Sequence, residues 1–210
     1  MKSILSLGAL MFALTFCGIG DRLKSLSGSG GTGSTNSSAP ASAGAGSTEK
    51  PQLTPAQESI QASSSEVKWE QQAISWKLPA GWPKMEAMKE SFNYGSPANG
   101  FLIASISVMA SSFPSDISMD ATYTSALEQL KQGKYETVRW MDIDGVRGVE
   151  WVEAMPEDKD GPRRHQWIAF RTYQGQNQQL NIMVSTKGSN FDKQRDTFAA
   201  IMYSMKIAKG

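Results

Sequence analysis

The chain of 210 residues has a single cysteine, Cys17, and a single histidine, His165. One thiol excludes an intramolecular disulfide, and one thiol with one imidazole excludes the Cys/His clusters that hold structural zinc. A nucleophile–His–acid relay would have to pass through His165, and no Gly-x-Ser-x-Gly elbow supplies its nucleophile. Gly133-Lys134 lacks the upstream glycine of a phosphate loop, and no G-x-G-x-x-G follows a strand pattern. An excess of one charge is also missing: residues 66–210 hold 17 of the 21 Lys+Arg and 17 of the 20 Asp+Glu, a net charge of zero. That excludes the basic footprint of a nucleic-acid binder. No apolar run approaches the roughly 20 residues of a membrane-spanning helix.

The longest apolar stretch, Ile4 to Phe16, has the length of a signal-peptide core and follows a positive Lys2. The residues Leu14-Thr15-Phe16-Cys17-Gly18 resemble the bacterial lipobox, whose cysteine is acylated and becomes the mature N-terminus. Leu14 and Thr15 fit that pattern, whereas Phe16 replaces the small residue usual before the cleaved bond. The resemblance implies a signal peptide over 1–16, lipidation at Cys17 and a membrane partner held through that lipid. A secreted, unlipidated form and an uncleaved leader are the alternatives. The setting expected is the cell envelope; Gly18 is not the Asp of enteric-type inner-membrane retention, so the outer membrane is preferred.

From Ser25 to Ser65 aromatics are absent and only Glu49, Lys50 and Glu58 are charged, with Ser, Gly, Ala and Thr dominating. Such a composition cannot bury enough apolar surface to offset its ordering entropy. Residues 17–65 are therefore expected to be a lipidated N-terminus and flexible linker, with at most a helical turn over Leu53–Gln61, and 66–210 a single globular domain. All six Trp and all five Tyr lie in that domain.

Within it, Ala73–Leu78 alternates as a strand, Ser91–Tyr94 reads as a short strand, and Phe101–Met109 as a central buried one. Tyr123, Ala126, Leu127 and Leu130 recur at helical spacing, predicting a helix from a Ser118 cap to Gln132 with Gly133 as its stop. Asp144-Gly145 predicts a hairpin between Tyr135–Ile143 and Val146–Met155. Gly175-Gln176-Asn177 predicts another, between Arg164–Tyr173 and Gln178–Thr186. A last helix begins near Phe191 behind Ser189 or Asn190. The fold class expected is α+β: an antiparallel sheet of six or seven strands with packed helices. This order, with Ile74-Ser75-Trp76-Lys77-Leu78-Pro79-Ala80-Gly81-Trp82 at its start and Ile201-Met202-Tyr203-Ser204-Met205-Lys206-Ile207 at its end, resembles the PsbP-like α/β/α-sandwich superfamily. The resemblance implies a binding or assembly factor rather than an enzyme.

No residue set qualifies as catalytic or metal-ligating, and no cofactor is implied. The loop Glu157-Asp158-Lys159-Asp160-Gly161 is a fragment of a calcium loop, but Ala169 and Phe170 stand where its closing Glu is needed. Asp142, Asp144, Glu150 and Glu153 share one hairpin and read as its wet face. Arg163, Arg164, Trp167 and Arg171 are the candidate contact for an anionic partner or lipid headgroup. The function expected is a membrane-anchored lipoprotein presenting a non-catalytic domain to an envelope protein or small ligand. The alternatives are an envelope hydrolase using carboxylate or His165 chemistry, and a carrier of a small apolar molecule.

Overall fold

Alternation with a period of two runs through most segments between residues 91 and 187. In the computed structural model, which describes residues 47–208, six of these segments and one short strand before them build one antiparallel sheet of seven strands. In chain order its strands are β3 (Lys84–Ala87), β4 (Ser91–Ser96), β5 (Gly100–Met109), β6 (Tyr135–Ile143), β7 (Val146–Glu153), β8 (Pro162–Tyr173) and β9 (Gln176–Lys187). In space the order is β3-β4-β5-β9-β8-β7-β6. The longest strands therefore lie at the centre, where β8 and β9 pair over their full length from Pro162↔Lys187 to Tyr173↔Gln176.

Two tight turns set the registers. Asp144 (φ 54°) and Gly145 (φ 86°) place both turn residues in the left-handed region, and Ile143 pairs with Val146 across them. That is the type I′ geometry matching the right-handed strand twist. Gln174 (φ 50°) and Gly175 (φ 72°) do the same between β8 and β9. The second turn is one residue earlier than expected and only two residues long, since Gln176 and Asn177 already pair.

Both faces of the sheet are covered. On one, α2 (Ser115–Lys131) lays Met119, Tyr123 and Ala126 over Trp140, Val149 and Trp151. On the other, α3 (Gly188–Tyr203) and a separate three-stranded sheet cover Leu102, Ala104, Trp167, Ala169, Leu180 and Ile182. The small sheet has the order β1-β2-β10, with β1 Ser65–Trp69, β2 Ile74–Leu78 and β10 Lys206–Ile207. Trp69 and Trp76 stack on Phe92 of the large sheet with ring centroids 5.6 and 5.2 Å away, which pins the two sheets together. Aromatic pairs of this kind contribute about 1 kcal/mol each beyond their buried area.

The α+β class and the strand count follow the sequence, but several boundaries differ. Ile74–Leu78 belongs to the small sheet rather than the large one, and β1 and β3 carry no clear alternation. β5 buries alternate residues, as a strand with two differently packed faces must. The two helices begin earlier than their expected caps: α2 follows Pro114 directly and α3 starts immediately after β9.

The largest difference lies in the linker. Residues from Ser47 onward are structured, with α1 spanning Pro55–Ala62. Thr54 and Gln57 form a reciprocal capping box with Pro55 at the first helical position. The helix docks on α3 through Gln57 Nε2, which donates to Asp196 (2.9 Å), and Gln61 Nε2, which donates to the Ala200 carbonyl (2.8 Å). Cys17 and the signal-peptide segment lie outside the described residues.

Candidate functional site

Strand register brings together side chains that sequence distance keeps apart. Arg139 on β6 stands opposite Glu150 on β7, and Glu150 stands opposite Trp167 on β8. His165, two residues before Trp167, falls on the same face, the one covered by α3. Tyr203, the last residue of α3, closes the group from above.

Glu150 is 1% exposed and accepts from three side chains. His165 Nε2 lies 2.6 Å from its Oε1, the Tyr203 hydroxyl donates to the same oxygen at 2.7 Å, and Arg139 Nε donates to Oε2 at 2.5 Å. Arg139 also donates to the Tyr203 oxygen (2.6 Å) and to Glu49 (3.2 Å). Burial pushes the Glu150 carboxyl upward, but the hydrogen bond and charge of His165, followed by Arg139 and Tyr203, more than offset it and hold the carboxyl at about 2. Burial and then the Glu150 charge raise the Tyr203 phenol. Burial works against the Arg139 cation, yet Glu150, Tyr203 and Glu49 together raise its pKa. The result is a fixed ionised carboxylate surrounded by donors, an arrangement that resists protonation.

A cleft of about 230 Å³ opens beside this group. One wall is the sheet and α3, with Thr137, Arg139, His165, Phe191, Arg195 and Tyr203 among its residues. The other wall is the chain leading into α1, through Gln52, Thr54 and Gln57. That chain is fastened to the edge of β6: the Glu49 amide donates to the Trp140 carbonyl (3.0 Å), and the Asp142 amide donates to the Glu49 carbonyl (2.8 Å). A larger hollow of about 420 Å³ lies elsewhere, against Trp69, Ile74 and Ile207 of the small sheet. On its charged rim, Lys68 pairs with Glu66 and Lys206 with Asp144.

The four residues expected to meet an anionic partner do not form one spot. Arg163 is buried, stacked over Phe191, and paired with Glu136 and Asp192. Trp167 is fully buried, its indole donating to the Met141 carbonyl at 3.1 Å. Arg171 is buried in a neutral cage, donating to Gln178 and Gln72 and lying over Tyr173. Arg164 points to the opposite face and bonds Glu153 at 2.8 Å. The alternation of β8 is the reason, since odd-numbered residues enter the core beneath α3.

Of the hairpin acids, only Glu150 joins the cluster. Asp142 caps its own turn through the Gly145 amide, and Asp144 holds Lys206 and the Ile207 amide. Arg139, Tyr203 and Arg195 carried no signal as site residues, because their convergence depends on register and on the docking of α3. The capping box Thr54-Pro55-Ala56-Gln57 was a local signal for the cleft's outer wall.

No family model matches the chain, and no curated protein matches it. Among solved structures the chain is similar to a protein of Bacteroides thetaiotaomicron VPI-5482, at 16% identity and a TM-score of 0.41, covering 65% of this chain and 45% of that one. The chain thus spans less than half the length of that protein. It is also similar to the cyanobacterial PsbP of Synechocystis sp. PCC 6803, at 14% identity and a TM-score of 0.42, covering 70% of this chain and 94% of that one.

Proposed function

We propose that this chain is a lipid-anchored protein of a bacterial cell envelope whose folded part works by binding a partner or small ligand rather than by turnover. The observation that carries the binding half is the saturation of Glu150. Its two carboxylate oxygens are taken by Arg139, Tyr203 and His165, and among the described residues no Ser, Thr or Cys hydrogen-bonds His165. A carboxylate held at about 2 by internal donors is a poor proton carrier near neutral pH. The anchoring half rests on Cys17 and its lipobox-like surroundings.

The intact mass of the native mature protein tests the anchor. The expected mass is that of a chain beginning at Cys17 with added acyl groups, and Cys17→Ser should move the protein from the membrane fraction to the soluble one. An unacylated mature mass, or a variant that stays in the membrane fraction, overturns it.

One observation favours a hydrolase as the second reading, the 2.6 Å pairing of His165 with Glu150. Turnover of an envelope substrate that is lost in both His165→Ala and Glu150→Gln would establish it and displace the binding reading.

A further inference from the structure

We infer that the cleft between the 52–57 segment and α3 is a binding site for a small monocarboxylate with a short apolar body. This inference rests on the binding reading above and names the class of ligand. The basic side chains forming the cleft wall are Arg139, His165 and Arg195, and no carboxylate is among the wall residues. The acids nearby pair with groups of the wall itself: Glu150 and Glu49 with Arg139, Glu136 and Asp192 with Arg195 through one nitrogen, and Asp196 with the Gln57 amide.

Donor capacity remains on the wall. Arg195 bonds its two acids through Nη2 alone, so its Nε and Nη1 have no hydrogen-bond partner among the described residues. The Thr137 hydroxyl and the Gln52 amide are likewise without one. A guanidinium with free N–H groups and a hydroxyl on one wall, faced by an amide across the cleft, present more donors than acceptors, which suits a planar anion. Val152, Phe191 and Ala199 are the apolar residues lining the same cleft, the side toward which a short hydrocarbon body would lie. At about 230 Å³ the space is below the usual range for drug-sized ligands, which restricts the occupant to a small acid.

Arg139 is unsuited to be the principal contact, because Nε, Nη1 and Nη2 are each engaged by Glu150, Glu49 and Tyr203. Arg195 is half-exposed, held through Nη2 by Glu136 and Asp192, and keeps Nε and Nη1 unpartnered. The Arg195 and Thr137 pair therefore carries the specificity.

The test is calorimetric titration of the full chain with benzoate, and with benzylamine as a cation of the same shape. Benzoate should bind at one site with a Kd of about 10–1000 μM, and benzylamine should not bind. Arg195→Gln and Thr137→Val should each weaken benzoate by roughly tenfold, the equivalent of one charge-assisted or buried hydrogen bond. Their thermal unfolding should stay close to wild type, since neither side chain is in the core. Absence of benzoate binding up to about 10 mM, or unchanged affinity in both variants, would overturn the inference. Equal binding of benzylamine also overturns it while leaving the binding reading in place. Hydrolysis of an envelope substrate would instead overturn the binding reading itself.

Discussion

At the scale of single residues, Glu150 is where burial and charge compete most directly. An ionised carboxylate that is 1% exposed would be strongly destabilising if it were alone. Arg139, His165 and Tyr203 reverse that balance and take its folded pKa from 4.5 to about 2. The group is more acidic folded than unfolded, so its contribution is present above about pH 4.5 and is lost as pH falls toward about 2. A shift of this size corresponds to about 3 kcal/mol. Glu150→Gln should lower stability near neutral pH by about that amount, because Arg139 loses its buried counter-charge. It should also flatten the acid limb of a stability–pH curve measured by urea unfolding. A variant whose curve runs parallel to wild type through that window would show that the carboxylate does not titrate as described. None of this was legible along the chain. Glu150 reads there as one of four acids on a wet hairpin, and its partner Tyr203 lies 53 positions away.

At the scale of elements, local chemistry and long-range packing separate cleanly. Asp144-Gly145 was legible because a type I′ turn demands φ > 0 at two successive positions, which few residue pairs tolerate. The stop of α2 at Gly133 (φ 71°) has the same local cause. β1 and β3 were not legible, since each is a short edge strand whose burial depends on what packs over it. α1 is the instructive case. Its composition argued for a linker with at most a helical turn over Leu53–Gln61, whereas the chain holds an eight-residue helix started by the Thr54–Gln57 capping box. Thr54→Ala removes the hydroxyl that accepts from the Gln57 amide at 3.3 Å. The expected cost is about 1 kcal/mol, confined to α1. Amide hydrogen exchange should therefore quicken over Pro55–Ala62 and leave β8 and β9 protected. Uniform acceleration across the sheet would mean instead that α1 unfolds only with the whole domain.

At the scale of the whole molecule, the folded body begins well before residue 66, and the segment over 47–65 forms part of it. That segment pairs Glu49 with the edge of β6, bonds Arg139 through the Glu49 carboxylate, and fixes α1 to α3 at Asp196 and Ala200. It also forms the outer wall of the cleft. Two fragments distinguish this arrangement from a linker that merely leads to a domain: residues 47–210 and residues 66–210. Both retain the large sheet, α2 and α3, so a difference in their stability reports the segment itself. Each buried or half-buried hydrogen bond contributes about 1 kcal/mol net, and the shorter fragment also exposes the surface of α3 that α1 covers. The longer fragment should be the more stable by about 2–3 kcal/mol in urea unfolding, with a larger m-value because it exposes more surface on unfolding. Coincident transitions would place the folding boundary back near residue 66 and leave the cleft with only one wall. With the expected difference, residues 47–65 belong to the folded body and carry the outer wall of the proposed site, so occupancy of that site and attachment of the segment would favour one another.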